Sequence, residues 1–583
     1  MGVIRKASAL LSFSLCALLL QPAEAFADGC GLPATPISRV QGSGHSSPLT
    51  GQIVTVEGIL TLDSRTKDGF GGFYLQQADH QTDNNPLTSE ALFVYTSKQG
   101  GTPGDRLRVT GKVKEHYGLT EISPVRAIIR CGHEAPPEPV TLTLPALAWP
   151  PEHLENMRVR FPQKLAVIDA NNLSLFGELT LAANDQIIPT EFLPPGSEAG
   201  KQSALNLQQR ILLDDGSSRK HPPTMAWLTR DGNLKPQARA GDTVTGLAGI
   251  LDFRFEHWRL QPETPPRLLR TNPRPPAPGR PDGDHIRIMA MNLGNYFNGD
   301  GRGRGFPTPR GARTPAEYQR QQQRLVYALL APDPDILALS EMENDDYGHY
   351  SAPAMLARAL GPQWRVVATP GADGRDEIRT TMLYRADRVQ LSDSPRRLAS
   401  GPFRNAGRPP LAQSFRRRGG QQAVRVVAIH LKSKSCRRAS GQDRDRHDGQ
   451  GCYASRRSAA ARAITDWISS LPAVPGLAGT LITGDVNSYS RETPLQVFAE
   501  AGFTTMVPQF HPCGPGTCSH YSYRYRGQKG SLDHALASAS LKSRVINAQT
   551  WLINTDEPEP SSSEASGPWR SSDHNPVITD IRL

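Results

Sequence analysis

The chain has 583 residues, a formal net charge of +10 and a pI near 9.3, with 21% charged and 7% aromatic residues. Roughly two to four domains are expected at this length. Beyond the N-terminus no stretch approaches the roughly 18 apolar residues of a bilayer span, which excludes a multi-span membrane protein.

Residues 1–27 read as an export signal. Arg5 and Lys6 precede an apolar core from Leu10 to Leu20, and Ala25-Phe26-Ala27 forms a small-x-small cleavage site. The mature protein is expected to begin near Asp28, in the periplasm or outside the cell. Cys16 leaves with the signal, and Cys30, Cys131, Cys436, Cys452, Cys513 and Cys518 remain. An even number in an exported chain predicts disulfides. Among the possible connectivities, Cys30–Cys131, Cys436–Cys452 and Cys513–Cys518 is preferred, because each bridge then closes one domain end or one loop. Zinc is disfavoured, since no C-x-x-C spacing and no His-x-x-x-His is present.

Residues 28–135 read as all-β. Ile53 to Leu60 alternates, and Gly72–Gln76, Ala91–Tyr95, Gly104–Val113 and Gly118–Ile122 follow, with glycines at the bends. Five such strands suit a small barrel that closes its own edges, and their order resembles an OB-fold module found ahead of nuclease domains in secreted bacterial proteins. Phe73, Tyr74, Phe93 and Tyr95 either stack nucleic-acid bases or fill the barrel core, and the core reading is preferred. Residues 140–265 echo the pattern, with Gly241-Asp242 leading into Ile250–Phe253 and Trp258–Gln261, which predicts a second OB-like, β-barrel-like module. The Pro- and Arg-rich residues 266–283 are expected to form an extended, semi-rigid linker.

From residue 284 strands alternate with helices. Ile286–Met291 is a strand, and Thr314-Pro315-Ala316-Glu317 is a capping box that opens a helix ending before Pro332-Asp333-Pro334. Asp335–Ser340 is a buried strand, Ala423–Ile429, Leu481–Thr483 and Val577–Ile581 are further strands, and Ser455–Ser469 is a helix. Such alternation predicts sheets layered with helices. Between Arg404 and Arg462 stand thirteen Arg and two Lys against three Asp. A run of this kind is a solvated face or a polyanion track, and its place around His430 favours the track.

Five polar motifs punctuate this region: Ala290-Met291-Asn292, Ser340-Glu341, His430-Leu431-Lys432, Gly484-Asp485-Val486-Asn487 and Ser572-Asp573-His574-Asn575. Singly, each has a structural reading, such as an Asx turn for Gly484–Asn487 or a helix cap for Ser572–His574. Their order within one domain is the specific signal, because four of them close apolar strands whose ends meet in a sheet. A phosphodiester resists cleavage because negative charge gathers on its oxygens in the transition state. A divalent cation held by Glu341 with Asn292 would offset that charge, and such hard oxygen ligands suit Mg²⁺ or Mn²⁺, with Ca²⁺ a third candidate. His574 is the candidate base for a water nucleophile, and Asp533 in Leu532-Asp533-His534 is its orienting partner.

With Asn292–Phe297, Arg310-Gly311-Ala312, Leu339–Asp345, Arg408–Ala412, His430–Lys434, Asp448–Cys452, Gly484–Tyr489 and Leu532–Leu536 in view, the region resembles the endonuclease/exonuclease/phosphatase superfamily of deoxyribonuclease-like enzymes. The resemblance implies a multidomain chain, with N-terminal all-β OB-like modules followed by an α/β four-layer sandwich over 284–583. It also implies that Asp573 joins Glu341 and Asn292 as a metal ligand and that Asp485 and Asn487 position water and phosphate. His430 would be a second imidazole, contacting phosphate or acting as an acid. Gly294 stands where abasic-site repair relatives carry Asp, which sides with the two-histidine subgroup. The expected function is a secreted, metal-dependent nuclease, monomeric, cutting DNA and conceivably RNA with little sequence preference. The alternatives are a phosphatase or phospholipase of the same superfamily, or a non-catalytic nucleic-acid-binding protein using the OB modules.

Overall fold

A computed structural model describes residues 29–222, 238–369, 373–404, 407–559 and 567–583. The export signal expected at residues 1–27 lies outside them. Among the described residues no helix is long and apolar enough to cross a membrane. The three disulfides are Cys30–Cys131, Cys436–Cys452 and Cys513–Cys518, in keeping with an oxidising compartment.

The first five strands, Ile53–Ser64, Gly72–Gln76, Ala91–Tyr95, Asp105–His116 and Leu119–His133, form a closed barrel in the order first, second, third, fifth, fourth. Val54, Val56, Leu75, Leu92, Val94 and Leu107 fill it. Phe73, Tyr74 and Phe93 are wholly buried, and Tyr95 alone of the four aromatics is exposed. The middle module differs from the expected second barrel. Its nine short strands form one sheet whose path runs from Arg267–Leu269 at one edge to Val140–Thr141 at the other. Edge strands of three and two residues offer too few ladder groups to pair and close the circle. Residues 266–283 are fastened rather than free. Arg267–Leu269 pairs with Thr243–Thr245, Arg274 grips Glu557 through two hydrogen bonds, and Arg280 donates to Asp335.

The C-terminal domain has four layers, and strand alternation explains them. In His285–Tyr296, residues 286, 288 and 290 face a core shared with Ile336, Val424, Val426, Leu481 and Ala535. Met289, Met291 and Leu293 face the opposite way, against Leu325 and Leu329 of the helix Pro315–Leu330. The second sheet repeats the design: Val424, Val426 and Ala428 point inward, while Val427 and Ile429 pack on Ala461 and Ile464 of the helix Ala454–Ser470. Each sheet is built on a strand–helix–strand unit with a parallel central pair, His285–Tyr296 beside Ile336–Glu343 and Ala423–His430 beside Leu477–Asp485. Thr314 caps its helix by accepting from the Glu317 N–H at 3.2 Å, as the capping box predicts.

Candidate active site

Parity along the strands carries four of the polar motif residues to one place. Asn292 continues the inward series 286, 288, 290, and His430 continues 424, 426, 428. Asp485 follows Leu481, and Asp533 precedes Ala535 and Ala537, on the same inner face. His430, Asp485 and Asp533 lie in one line across three adjacent strands, as direct register partners. Two carboxylates opposed in this way repel each other, so the site must supply compensating positive charge.

Glu341 has the wrong parity for the cleft, since Leu337 and Leu339 face the outer layer. A register shift between Leu339 and Met342, with Glu341 itself at φ +59°, turns its side chain inward. Re-aiming one side chain is what a bulge does beside an active site. Its Oε2 accepts from the Asn295 N–H at 2.9 Å, and Oε1 lies 4.0 Å from His430 Nε2.

His574 Nδ1 is 2.7 Å from Asp533 Oδ2, leaving Nε2 as the free nitrogen. Asp533 is fixed in turn by Ser522, whose Oγ accepts from the Leu532 and Asp533 N–H groups at 2.9 Å each. Tyr523 lies against the imidazole, with ring centroids 4.6 Å apart. Burial disfavours an imidazolium at this position, but Asp533, Asp573 and Asp485 outweigh it and hold the His574 pKa well above its ordinary value. Burial, then Asp533, raises that of Asp485. Burial and the neighbouring Asp573 raise that of Glu341. Carboxyls pushed up together describe a site that a cation would relieve.

His430 behaves differently. It is buried, its Nε2 faces the Arg408 guanidinium, and burial together with Arg408 holds its pKa well below the usual value. The same Nε2 lies 3.3 Å from Asp485 Oδ2 and 4.0 Å from Glu341 Oε1, so the imidazole stands between the guanidinium and the carboxylates of the cleft. Asn292 is held at both ends of its amide: Nδ2 donates to Asp485 Oδ2 at 3.2 Å, and Oδ1 accepts from the Gly294 N–H at 3.0 Å, which leaves the oxygen a second lone pair. Asn487, at φ +52°, donates its N–H to Asp485 Oδ1 and its Nδ2 to Leu431 O. Asp573 is exposed at the rim, beside Gly294, where an added Cβ would stand 3.6 Å from Asp573 Oδ1. Asn575 braces the loop outside the chemistry, bonding Asn554, Thr555 and Tyr521. Among the described residues, Asp485, Asp533 and His574 form the group of titratable donors close enough to share an ion, with ligand atoms within 4.8 Å of one another. Within that group the His574–Asp533 contact is itself a hydrogen bond.

The basic run divides. Arg408, Lys432 and Lys434 stand near the cleft, but Arg416 pairs in register with Ala423 at the other end of the strand that closes on His430. Seven residues at about 3.3 Å each put that end roughly 20 Å away. Arg457 is buried and structural, donating to Ser488 Oγ and to the carbonyls of Cys452 and Gln450. Arg437, Arg438, Arg444 and Arg446 are exposed on the disulfide-closed loop beside the cleft.

The cleft has a volume of about 1150 Å³, and the middle module forms one wall of it. The helix Ser197–Gln208 sends Ser197, Gly200, Lys201, Ala204 and Leu207 to the cleft, the i, i+3, i+4 spacing of a single helix face. It lies so close to the catalytic domain that a Cβ on Gly200 would be 2.1 Å from His447 O. Buried Glu191 accepts from Ser490 Oγ at 2.6 Å and from the Ser531 N–H. Thr190 Oγ1 donates to Glu492 at 3.0 Å, and Glu492 also takes both bonds of Lys434. Sequence reasoning missed Arg408 as a site residue, Tyr523 and this wall. The alternation Tyr521-Ser522-Tyr523-Arg524-Tyr525 was a readable sign of a strand with an aromatic face; contacts between residues 190 and 492 left no local sign.

Residues 292–574 match the Endonuclease/Exonuclease/phosphatase family. No curated protein matches the chain. Among solved structures it is similar to an endonuclease/exonuclease/phosphatase from Bacteroides vulgatus, at 15% identity and TM-score 0.35, over 52% of this chain and 100% of that one. The human Nocturnin catalytic domain with bound sulfate aligns at 16% identity and TM-score 0.33, over 51% and 93% of the two chains. A family protein from Bacteroides thetaiotaomicron aligns at 16% and 0.35, over 51% and 97%.

Proposed function

We propose, from a C-terminal domain that belongs to the endonuclease/exonuclease/phosphatase family, that this chain is an exported, divalent-metal-dependent nuclease that hydrolyses DNA phosphodiesters with little sequence preference. The observation that carries the reading is the buried His574–Asp533 pair, 2.7 Å apart, in one cleft with Glu341, Asp485 and Arg408. Asp533 fixes the imidazole by its Nδ1; a cation held beside Asp573 and Asp485 would offset the carboxylates that raise the His574 pKa, leaving Nε2 as the atom that takes a proton from the attacking water. The water oxygen then bonds phosphorus as the bond to the leaving oxygen breaks. Arg408 and the Asn292 amide, beside His430 and Asp485, supply fixed donors where phosphate charge develops.

The donor set fits a hard divalent cation, with Glu341, Asp573 and the Asn292 amide oxygen, which keeps a second lone pair beside its bond to the Gly294 N–H, as the groups that would hold it, and Asp485 beside them. Such a cation, when bound, neutralises charge on a non-bridging phosphate oxygen. The N-terminal barrel, with its third and fifth strands paired in parallel, supports the OB-fold reading, but its buried aromatics direct substrate binding elsewhere. Low sequence preference follows from recognition by Arg and Lys, since phosphates carry no sequence information. The test is nicking of supercoiled plasmid with and without EDTA. Cutting that survives chelation, or that persists in His574→Ala, would overturn this mechanism.

A further inference from the structure

The cleft carries more than a catalytic constellation, and its far side argues for a kind of strand. The hairpin formed by Tyr523–Tyr525 and Gln528–Gly530 lies between the catalytic strand ends and the middle module. Alternation sends Tyr523 and Tyr525 to one face and Arg524 to the other. Arg524 is clamped by Asp185 of the middle module at 2.7 Å and by Asp556 at 2.7 Å. Lys529 adds a 2.8 Å ion pair to Asp185, its neighbour Gln528 accepts from Asn206 Nδ2 at 2.8 Å, and Ile187 bridges to the hairpin backbone. The middle module therefore fixes the hairpin as firmly as the catalytic domain does. Tyr523 spends its ring on His574. Tyr525, two residues on, carries the Arg526 guanidinium over one face at 5.5 Å, is 49% exposed and lines the same cleft. Arg526 follows it, and Lys201 faces the cleft from the helix opposite.

We infer that this cleft admits an unpaired polynucleotide strand and turns duplex away, with Tyr525 as the base platform, Lys201 and Arg526 on the flanking phosphates, and the helix Ser197–Gln208 as the excluding wall. An aromatic face between cations, along a groove, is how single strands are held without reading sequence. A duplex keeps its bases stacked on one another, and freeing one costs a few kcal/mol. At about 1150 Å³ the cleft exceeds the roughly 300–1,000 Å³ typical of small-molecule sites, which suits a short length of strand.

The inference rests on the nuclease reading, and a small diester separates the two. Bis(p-nitrophenyl) phosphate needs the catalytic strand ends but neither the platform nor the wall. The full-length protein is assayed on that diester, on an end-labelled single-stranded oligonucleotide and on the same sequence as a blunt duplex. Wild type is expected to cut the single strand at least about tenfold faster than the duplex in kcat/KM, the scale of one base stack. In Tyr525→Ala the ratio of strand cleavage to diester hydrolysis falls about tenfold, mainly through KM, and Tyr525→Trp restores it. Gly200→Leu, which forces the helix off His447, narrows the gap between single strand and duplex. Equal cleavage of duplex and single strand by wild type, or a Tyr525→Ala loss that is the same on all three substrates, would overturn the inference while leaving the nuclease reading intact. Failure of wild type on the diester and both polynucleotides would overturn the nuclease reading itself.

Discussion

The two walls of the cleft are made of different material. The catalytic wall consists of polar side chains at the ends of strands whose inner faces are apolar, so each is held by a rigid sheet and by its neighbours in register. The middle-module wall is a helix of low apolarity and a loop, fixed from behind by buried polar contacts: Glu191 to Ser490 and Ser531, Thr190 to Glu492, Asp185 to Arg524. One wall holds the reacting atoms, and the other decides what reaches them. Damage to the first should abolish turnover on every substrate. Damage to the second should shift stability and preference while the chemistry survives.

The largest expected effect is on the catalytic wall. His574→Ala should lower plasmid nicking by about 10²–10⁴-fold, the usual contribution of a positioned base, and should also lower the melting temperature, because buried Asp533 loses the imidazole that pairs with it at 2.7 Å. A variant that keeps more than a tenth of the rate would remove His574 from the role of base. Next comes the hinge of the second wall. Glu191→Ala leaves the Ser531 N–H buried without its acceptor, which costs about 1–3 kcal/mol, read as a lower denaturant midpoint. Its diester hydrolysis should fall far less than that of His574→Ala. If the two variants lose turnover equally, the walls are not functionally distinct.

The catalytic wall was largely legible because it obeys local rules. Asn292, His430 and Asp485 follow apolar runs and Asp533 precedes one, all with the parity of the inner face, and period-2 alternation can be counted in a sequence. Glu341 was found by its motif and not by its parity, since the bulge that turns it inward depends on the partner strand ending at Arg379 and Ile378. The disulfides were legible because each closes a short or bounded segment. The middle wall was not, because Glu191 and Ser531 meet across a gap of 340 residues and nothing in either neighbourhood names the other. Curvature was equally hidden. The five barrel strands close through long partners such as Asp105–His116 and Leu119–His133, whereas the middle module has a similar pattern in strands too short to close. The basic run misled in part, because charge density in sequence ignores that a hairpin carries Arg416 and Arg417 to the far end of the sheet.

Protonation gives a finer comparison of the walls. Burial raises the Glu191 carboxyl from 4.5 to about 7, and its 3% exposure agrees with that cause. An acid whose folded pKa is raised favours folding while protonated. Its contribution is fully present below about pH 4.5 and is lost as pH rises through about 7. Glu191→Gln removes this dependence while keeping an acceptor for the Ser531 N–H. Between pH 5 and pH 8 the wild type should lose stability relative to Glu191→Gln, by on the order of 3 kcal/mol at the full shift. Parallel stability–pH curves for the two proteins would show that Glu191 is not the group that titrates at this interface.

The smallest effect on activity belongs to the barrel. Tyr74 is buried and donates to Asp252 of the middle module, so Tyr74→Phe should cost about 1.5–3 kcal/mol for a bond to a charged group. Asp252 keeps Arg254 at 2.7 Å, and no barrel residue lines the cleft. The melting temperature should therefore fall while the ratio of single-strand cleavage to diester hydrolysis stays where it is. A change in that ratio would mean that the barrel acts on the cleft through the middle module, since the Asp252 strand also pairs with Arg158–Phe161 and His257–Pro262. The wall would then be adjustable from a distance, and the difference between the two β modules would be one of degree.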